Sequence, residues 1–242
     1  VSEEELNELD RKATLEEISR LQQLEVLAVA EDATDEEPLL LDTTCVFDWR
    51  FRGMWKRRCR IVAREYRTGN TDESQFSPTP AGFTMRLILV LGKLFNLCLF
   101  VADIKDAFLS VKQRELVEVI VPSWVRDLAQ GEQANNPLLT AERWILLKCL
   151  PGQRNAALRW SEHFKELVEK MSFESYKGMP TVFKHSTRKM FLMIHVDDVL
   201  VASGIEDWTW FSKMVRKQLT MNVGVSFWTL SCVSLFFLST VM

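Results

Sequence analysis

Residues 190–202, Met-Phe-Leu-Met-Ile-His-Val-Asp-Asp-Val-Leu-Val-Ala, constrain the fold of this chain most. Two apolar runs of strand length enclose an adjacent pair of carboxylates, a pattern that predicts a β-hairpin with acids at its tip. Asp is an ordinary turn residue, so a plain turn is one explanation. A plain hairpin turn, however, favours Asn-Gly or Asp-Gly, whereas Asp197-Asp198 sets two like charges side by side. A divalent cation relieves that repulsion best.

A third acid stands far upstream. The apolar run Leu97–Ala102 reads as a buried strand that ends on Asp103. A carboxylate there is costly unless it is paired, or it caps a strand-to-helix turn. Phosphoryl transfer by two metals needs carboxylates from separate strands that hold a pair of Mg²⁺ ions roughly 3.5–4 Å apart. Hard oxygen ligands suit Mg²⁺, and substrate phosphates complete its coordination. Asp103 and Asp197-Asp198, 94 positions apart, can share such a site only if their strands are neighbours in one sheet.

The remainder of the chain supplies a setting for an anionic partner. The net charge of −3 divides into −12 over residues 1–49 and +9 over residues 50–242. The N-terminal segment reads as two short amphipathic helices, with capping boxes at Ser2/Glu5 and Thr14/Glu17 and a linker near residues 30–40. It is either a solvated arm or an acidic arm that competes with nucleic acid for the basic body. From Cys45 to Phe51 and from Cys59 to Arg64 the alternation predicts two strands of a hairpin, with Arg58, Arg60, Val62 and Arg64 on one face. Eight basic residues against one acid between Arg50 and Arg67 are dense enough for phosphate contacts, although a charged strand face is more often simply solvated. A buried helix is expected over Thr84–Phe95, strands over 116–122 and 144–150, a polar loop over 126–142, and a helix over Ala156–Met171 with Trp160, Phe164, Leu167 and Val168 facing a core. Five scattered cysteines without a CxxC pair argue against a disulfide scaffold or structural zinc, and the acidic start lacks the marks of a secretory signal. The expected compartment is intracellular and reducing, cytoplasmic or nuclear.

These residues resemble a known family. Val101-Ala102-Asp103-Ile104-Lys105-Asp106-Ala107-Phe108-Leu109-Ser110-Val111 is similar to the first catalytic motif of reverse transcriptases, and His195-Val196-Asp197-Asp198 to their Tyr-Val-Asp-Asp hairpin. Arg58-Cys59-Arg60-Ile61-Val62-Ala63-Arg64, Phe76-Ser77-Pro78-Thr79-Pro80, Glu118-Val119-Ile120 and the stretch Leu150–Trp160 resemble, in family order, motifs of copia-type retrotransposon polymerases. The resemblance implies an α+β fold of polymerase fingers and palm, the palm an antiparallel sheet backed by helices. It divides the chain into an acidic helical arm and linker (1–44), a fingers/palm domain (45–222) and an apolar tail (223–242). The implied activity is RNA-directed DNA polymerisation from dNTPs, on a primed RNA or DNA template, with two Mg²⁺ ions. Asp103, Asp197 and Asp198 would be catalytic and bind metal, joined by the Ile104 carbonyl. Arg60, Arg64, Asp106, Ala107, Phe108, Gly152 and Asn155 would bind the nucleotide. Arg60 would hold its triphosphate, Phe108 would exclude a 2′-hydroxyl, and Gly152 would let the backbone approach template and base.

The chain departs from the family pattern at His195 for Tyr, Asn155 for Gln and Ala157 for Pro, and the resemblance ends at Asn222 without the late palm lysine. Two rival readings follow: a remnant of the same fold that binds nucleic acid without turnover, and a tail-anchored interaction protein. The uncharged residues 223–242 are long enough to span a bilayer, but six Ser/Thr dilute them, so a membrane partner is not expected. The tail reads rather as foreign sequence behind a truncated element.

Overall fold

In the computed structural model, which describes residues 1–30, 37–51, 53–65, 80 and 82–227, helix α1 (Glu3–Gln23) starts at the expected capping box, with Ser2 and Glu5 exchanging side-chain and backbone hydrogen bonds. It then continues as one helix where two short ones are expected. The Thr14 hydroxyl donates back to the Asp10 carbonyl at 2.8 Å instead of capping a new start. Nor is α1 a solvated arm, because Ala13, Ile18 and Leu21 are buried and Arg57 and Lys56 of the following hairpin pair with Asp10 and Glu16. Residues 31–36, 52, 66–79, 81 and 228–242 lie outside the described residues, and with them the acidic linker run, most of the Phe-Ser-Pro-Thr-Pro motif, Arg67 and most of the tail.

The chain forms two units, each assembled from separate segments: residues 1–73 with 108–156, and residues 74–107 with 157–242. The first is built on a five-stranded sheet in the order β1-β6-β5-β2-β3, from β1 (Leu27–Val29), β2 (Leu39–Phe51), β3 (Trp55–Arg64), β5 (Val117–Ile120) and β6 (Arg143–Leu146). The expected hairpin is the β2–β3 pair, and β2 begins six residues before Cys45 because Leu39–Asp42 run parallel to β5. After the short helix α3 (Ser123–Arg126), the stretch 126–142, expected as a polar loop, holds a second short helix, α4 (Pro137–Thr140), which buries Leu138 and Leu139. The Trp144 indole N–H donates to the Leu138 carbonyl at 2.7 Å.

The second unit carries a six-stranded, wholly antiparallel sheet in the order β11-β4-β10-β9-β8-β7. Its strands are β4 (Cys98–Lys105), β7 (Phe173–Tyr176), β8 (Met179–His185), β9 (Phe191–His195), β10 (Asp198–Ser203) and β11 (Thr220–Phe227). Strand β11 therefore runs five residues past the point where the family resemblance stops. Helix α2 (Gly82–Leu94) covers one face, where Ile88 packs with Leu99, Val182, Phe191, Met193 and Ala202. Helices α5 (Ala156–Glu169) and α6 (Ile205–Val215) cover the other, as Phe164 meets Phe183 and Trp208 stacks on Phe100 with ring centres 4.6 Å apart. Among the described residues no helix is long and apolar enough to cross a membrane. The α+β class and an antiparallel sheet backed by helices are thus both present.

Candidate functional site

Antiparallel pairing brings the distant acids together. Strand β10 lies between β4 and β9, and Asp198 is the direct cross-strand partner of Asp103 on one side and of His195 on the other. On the far side of β4, Asn222 of β11 is paired with Asp103. Since side chains alternate, Asn222, Asp103, Asp198 and His195 form a row across four strands on the face that α2 covers further along. The Asn222 Nδ2–H donates to Asp103 Oδ2 at 3.1 Å, so one carboxylate oxygen is held in place.

Asp197 sits in the turn between β9 and β10, whose two loop residues are Val196 and Asp197. Its carbonyl accepts the Ile104 N–H at 2.8 Å, which fastens the turn to the strand that carries Asp103. Val196 has φ 55°, a left-handed conformation that is uncommon for any residue with a Cβ and an outlier for a β-branched one. The indole N–H of Trp160 on α5 donates to the Val196 carbonyl. Both carbonyls of the turn are therefore tied to other elements.

Electrostatics single out Asp198. Asp198 stands exposed at the start of β10, and the partial desolvation there raises its carboxyl above its ordinary pKa; the charges of Asp197 and Asp103 raise it further, while His195 opposes them. Like charges held this close are what the sequence implies for the adjacent pair. The donor set is a fit for a hard cation, since Mg²⁺ typically takes one or two carboxylates and fills its octahedron with water and phosphate oxygens. No complete protein cage is present: among the described residues, no group of three or more His, Cys, Asp and Glu side chains is gathered closely enough to hold an ion by itself.

The other predicted residues divide between the units. In the second, Asp106 has φ 58° and lies 3.9 Å from Lys105, and Ala107 is buried. In the first, Phe108 opens a short 3₁₀ turn, Arg64 ends β3, and Arg60 is paired with Asp48 at 2.5 Å across the β2–β3 hairpin. That pairing, together with Arg58 and Arg50, holds Asp48 below its usual pKa. Gly152 has a local reason to be glycine. With φ 93°, a Cβ on it would lie 2.1 Å from the Ala63 carbonyl oxygen, and the neighbouring Pro151 carbonyl accepts the Ala63 N–H at 2.8 Å. Asn155 Oδ1 is buried without a hydrogen-bond partner among the described residues.

In the sequence Asn222 marks only the place where the resemblance ends, and the helical spacing of Trp160 places it in the core. Asn222 is visible only through the β4–β11 register. Trp160 is indeed buried, at 1% exposure, and its donor role could be foreseen only from the need of a buried indole for an acceptor. No protein-family model matches the chain.

Proposed function

We propose that the chain is a template-directed DNA polymerase domain of the reverse transcriptase kind, joining a dNTP to a primer 3′-hydroxyl. The observation that carries this reading is the register of β4 against β10, which sets Asp103 opposite Asp198 with Asp197 fixed beside them. In the reaction, the primer 3′-hydroxyl gives up its proton to solvent and its oxygen forms a bond to the α-phosphorus of the dNTP. The bond from that phosphorus to the bridging oxygen of the β-phosphate breaks, and pyrophosphate leaves.

Asp103, Asp197 and Asp198 would hold the Mg²⁺ ions, which supply neutralisation of charge at the attacking and leaving oxygens when bound. The chain itself contributes position and fixed polarity. Asn222 keeps an Asp103 oxygen oriented, and the Ile104 N–H keeps the Asp197 turn against β4. The basic face of β3 offers Arg58, Arg60 and Arg64 to phosphates, and Phe108 is the residue expected to discriminate against ribose. A protein with this charge distribution binds nucleic acid in a salt-dependent way.

Extension of a labelled primer on an RNA template with dNTPs and Mg²⁺ tests the proposal. Incorporation by the unaltered chain and its loss in Asp197→Asn are expected. Salt-sensitive binding of primer-template without incorporation would instead identify a remnant that binds only, and extension that survives Asp197→Asn would refute the assignment.

A further inference from the structure

The turn that carries Asp197 does not rest in a conformation its sequence prefers. Val196 is β-branched, yet its φ of 55° lies in the region that glycine adopts freely and branched residues avoid. It is also 44% exposed, so packing around its own side chain does little to impose that conformation. Something outside the turn must hold it. Two hydrogen bonds to the turn come from other elements: the Ile104 N–H donates to the Asp197 carbonyl and the Trp160 indole N–H to the Val196 carbonyl. The first belongs to β4 itself. The second arrives from α5, on the opposite face of the sheet from the acids, and its ring is locked by burial and by Phe164, whose ring centre is 5.7 Å away.

We propose that Trp160 is a positioning residue for the carboxylate centre: by holding the Val196 carbonyl, its indole N–H keeps the Val196–Asp197 turn in the strained form that sets Asp198 opposite Asp103. Indole has one donor and no acceptor, so Trp160→Phe removes the tether while keeping an aromatic ring in the core. Val196→Gly removes the backbone strain that makes the tether necessary. The contribution to nucleotidyl transfer rests on the polymerase reading, whereas the tether and its effect on cation binding do not.

The test uses the full chain, with ¹⁵N-labelled tryptophan for indole exchange and Mn²⁺ as the binding probe. In the unaltered protein the Trp160 indole proton, assigned by its through-space contacts with the neighbouring Phe164 ring, is expected to exchange slowly with solvent. Mn²⁺ affinity is expected to fall by about tenfold in Trp160→Phe, in the range seen when a supporting partner of a metal ligand is removed. The double variant Trp160→Phe/Val196→Gly is expected to recover most of that loss, which a merely structural role for the ring would not produce. Fast indole exchange in the unaltered protein overturns the tether and needs no variant to fold. Equal Mn²⁺ affinity in Trp160→Phe and the unaltered chain overturns the positioning role. If the unaltered chain binds Mn²⁺ and shows the loss and rescue but extends no primer, the polymerase reading fails and the positioning role stands; if it binds no Mn²⁺, both fall.

Discussion

Asp198 bears the electrostatic cost of the candidate site, and its titration shows which way that cost runs. Its pKa in the folded chain is raised above the ordinary 3.8, so the folded state binds the proton more tightly than the unfolded state does. The resulting stability is present below pH 3.8 and is lost as pH rises through the higher folded value. Asp198→Asn should therefore melt at a higher temperature than the unaltered chain at pH 7, with the difference vanishing near pH 3; thermal melts at the two pH values without divalent cations check this. Gly152 gives a second expectation at the same scale. Its left-handed φ and the 2.1 Å approach to the Ala63 oxygen mean that Gly152→Ala should cost more than about 2 kcal/mol by urea unfolding, whatever the nucleotide does. The acids were legible in the sequence because charge at the end of an apolar run is costly enough to stand out. The reason for Gly152 was not, because a close approach of two backbones leaves no compositional trace.

Among the elements, the β9–β10 hairpin and β4 were legible for the same reason: apolar runs bounded by charge have one dominant period. The pair β7–β8 escaped notice although Phe173, Ser175, Phe183 and His185 alternate around Lys177-Gly178, with Gly178 at φ 88°. Its strands are short and one carries Pro180, which weakens the strand signal. Within helix α1, Thr14/Glu17 copies a capping pattern and so suggests a break; the choice between a cap and a back-bonded threonine depends on the helix continuing to bury Ile18 and Leu21 against the first sheet. Strands β5 and β6 hold an ion pair that the motif comparison assigned no role. Glu118 is 3% exposed and accepts from Arg143 at 2.8 Å. The Arg143 side chain itself is 44% exposed, so its removal leaves a buried carboxylate that water reaches in part, and Arg143→Met should destabilise the first unit by about 1–2 kcal/mol, read from the urea midpoint.

For the molecule as a whole, the order of the chain is not the order in space. Each unit takes two separated segments, so the N-terminal 30 residues, set apart by charge in the sequence, share a core with residues 108–150. Charge separates them along the chain because Glu3, Glu4, Glu5, Glu8 and Glu16 lie on the solvent side of α1, while the apolar stripe that joins the core is spread over several turns. The proposed function requires that Asp103, on β4, and Asp197, in the β9–β10 turn, serve a single chemical centre. Single-nucleotide incorporation by the unaltered chain, Asp103→Asn, Asp197→Asn and the double variant measures this directly, since residues that act as one unit are not additive. Measurable incorporation by the unaltered chain, a large loss in each single variant, and a double variant no slower than the slower single one are expected. Losses that multiply in the double variant, or incorporation unaffected by either substitution, would contradict the shared centre.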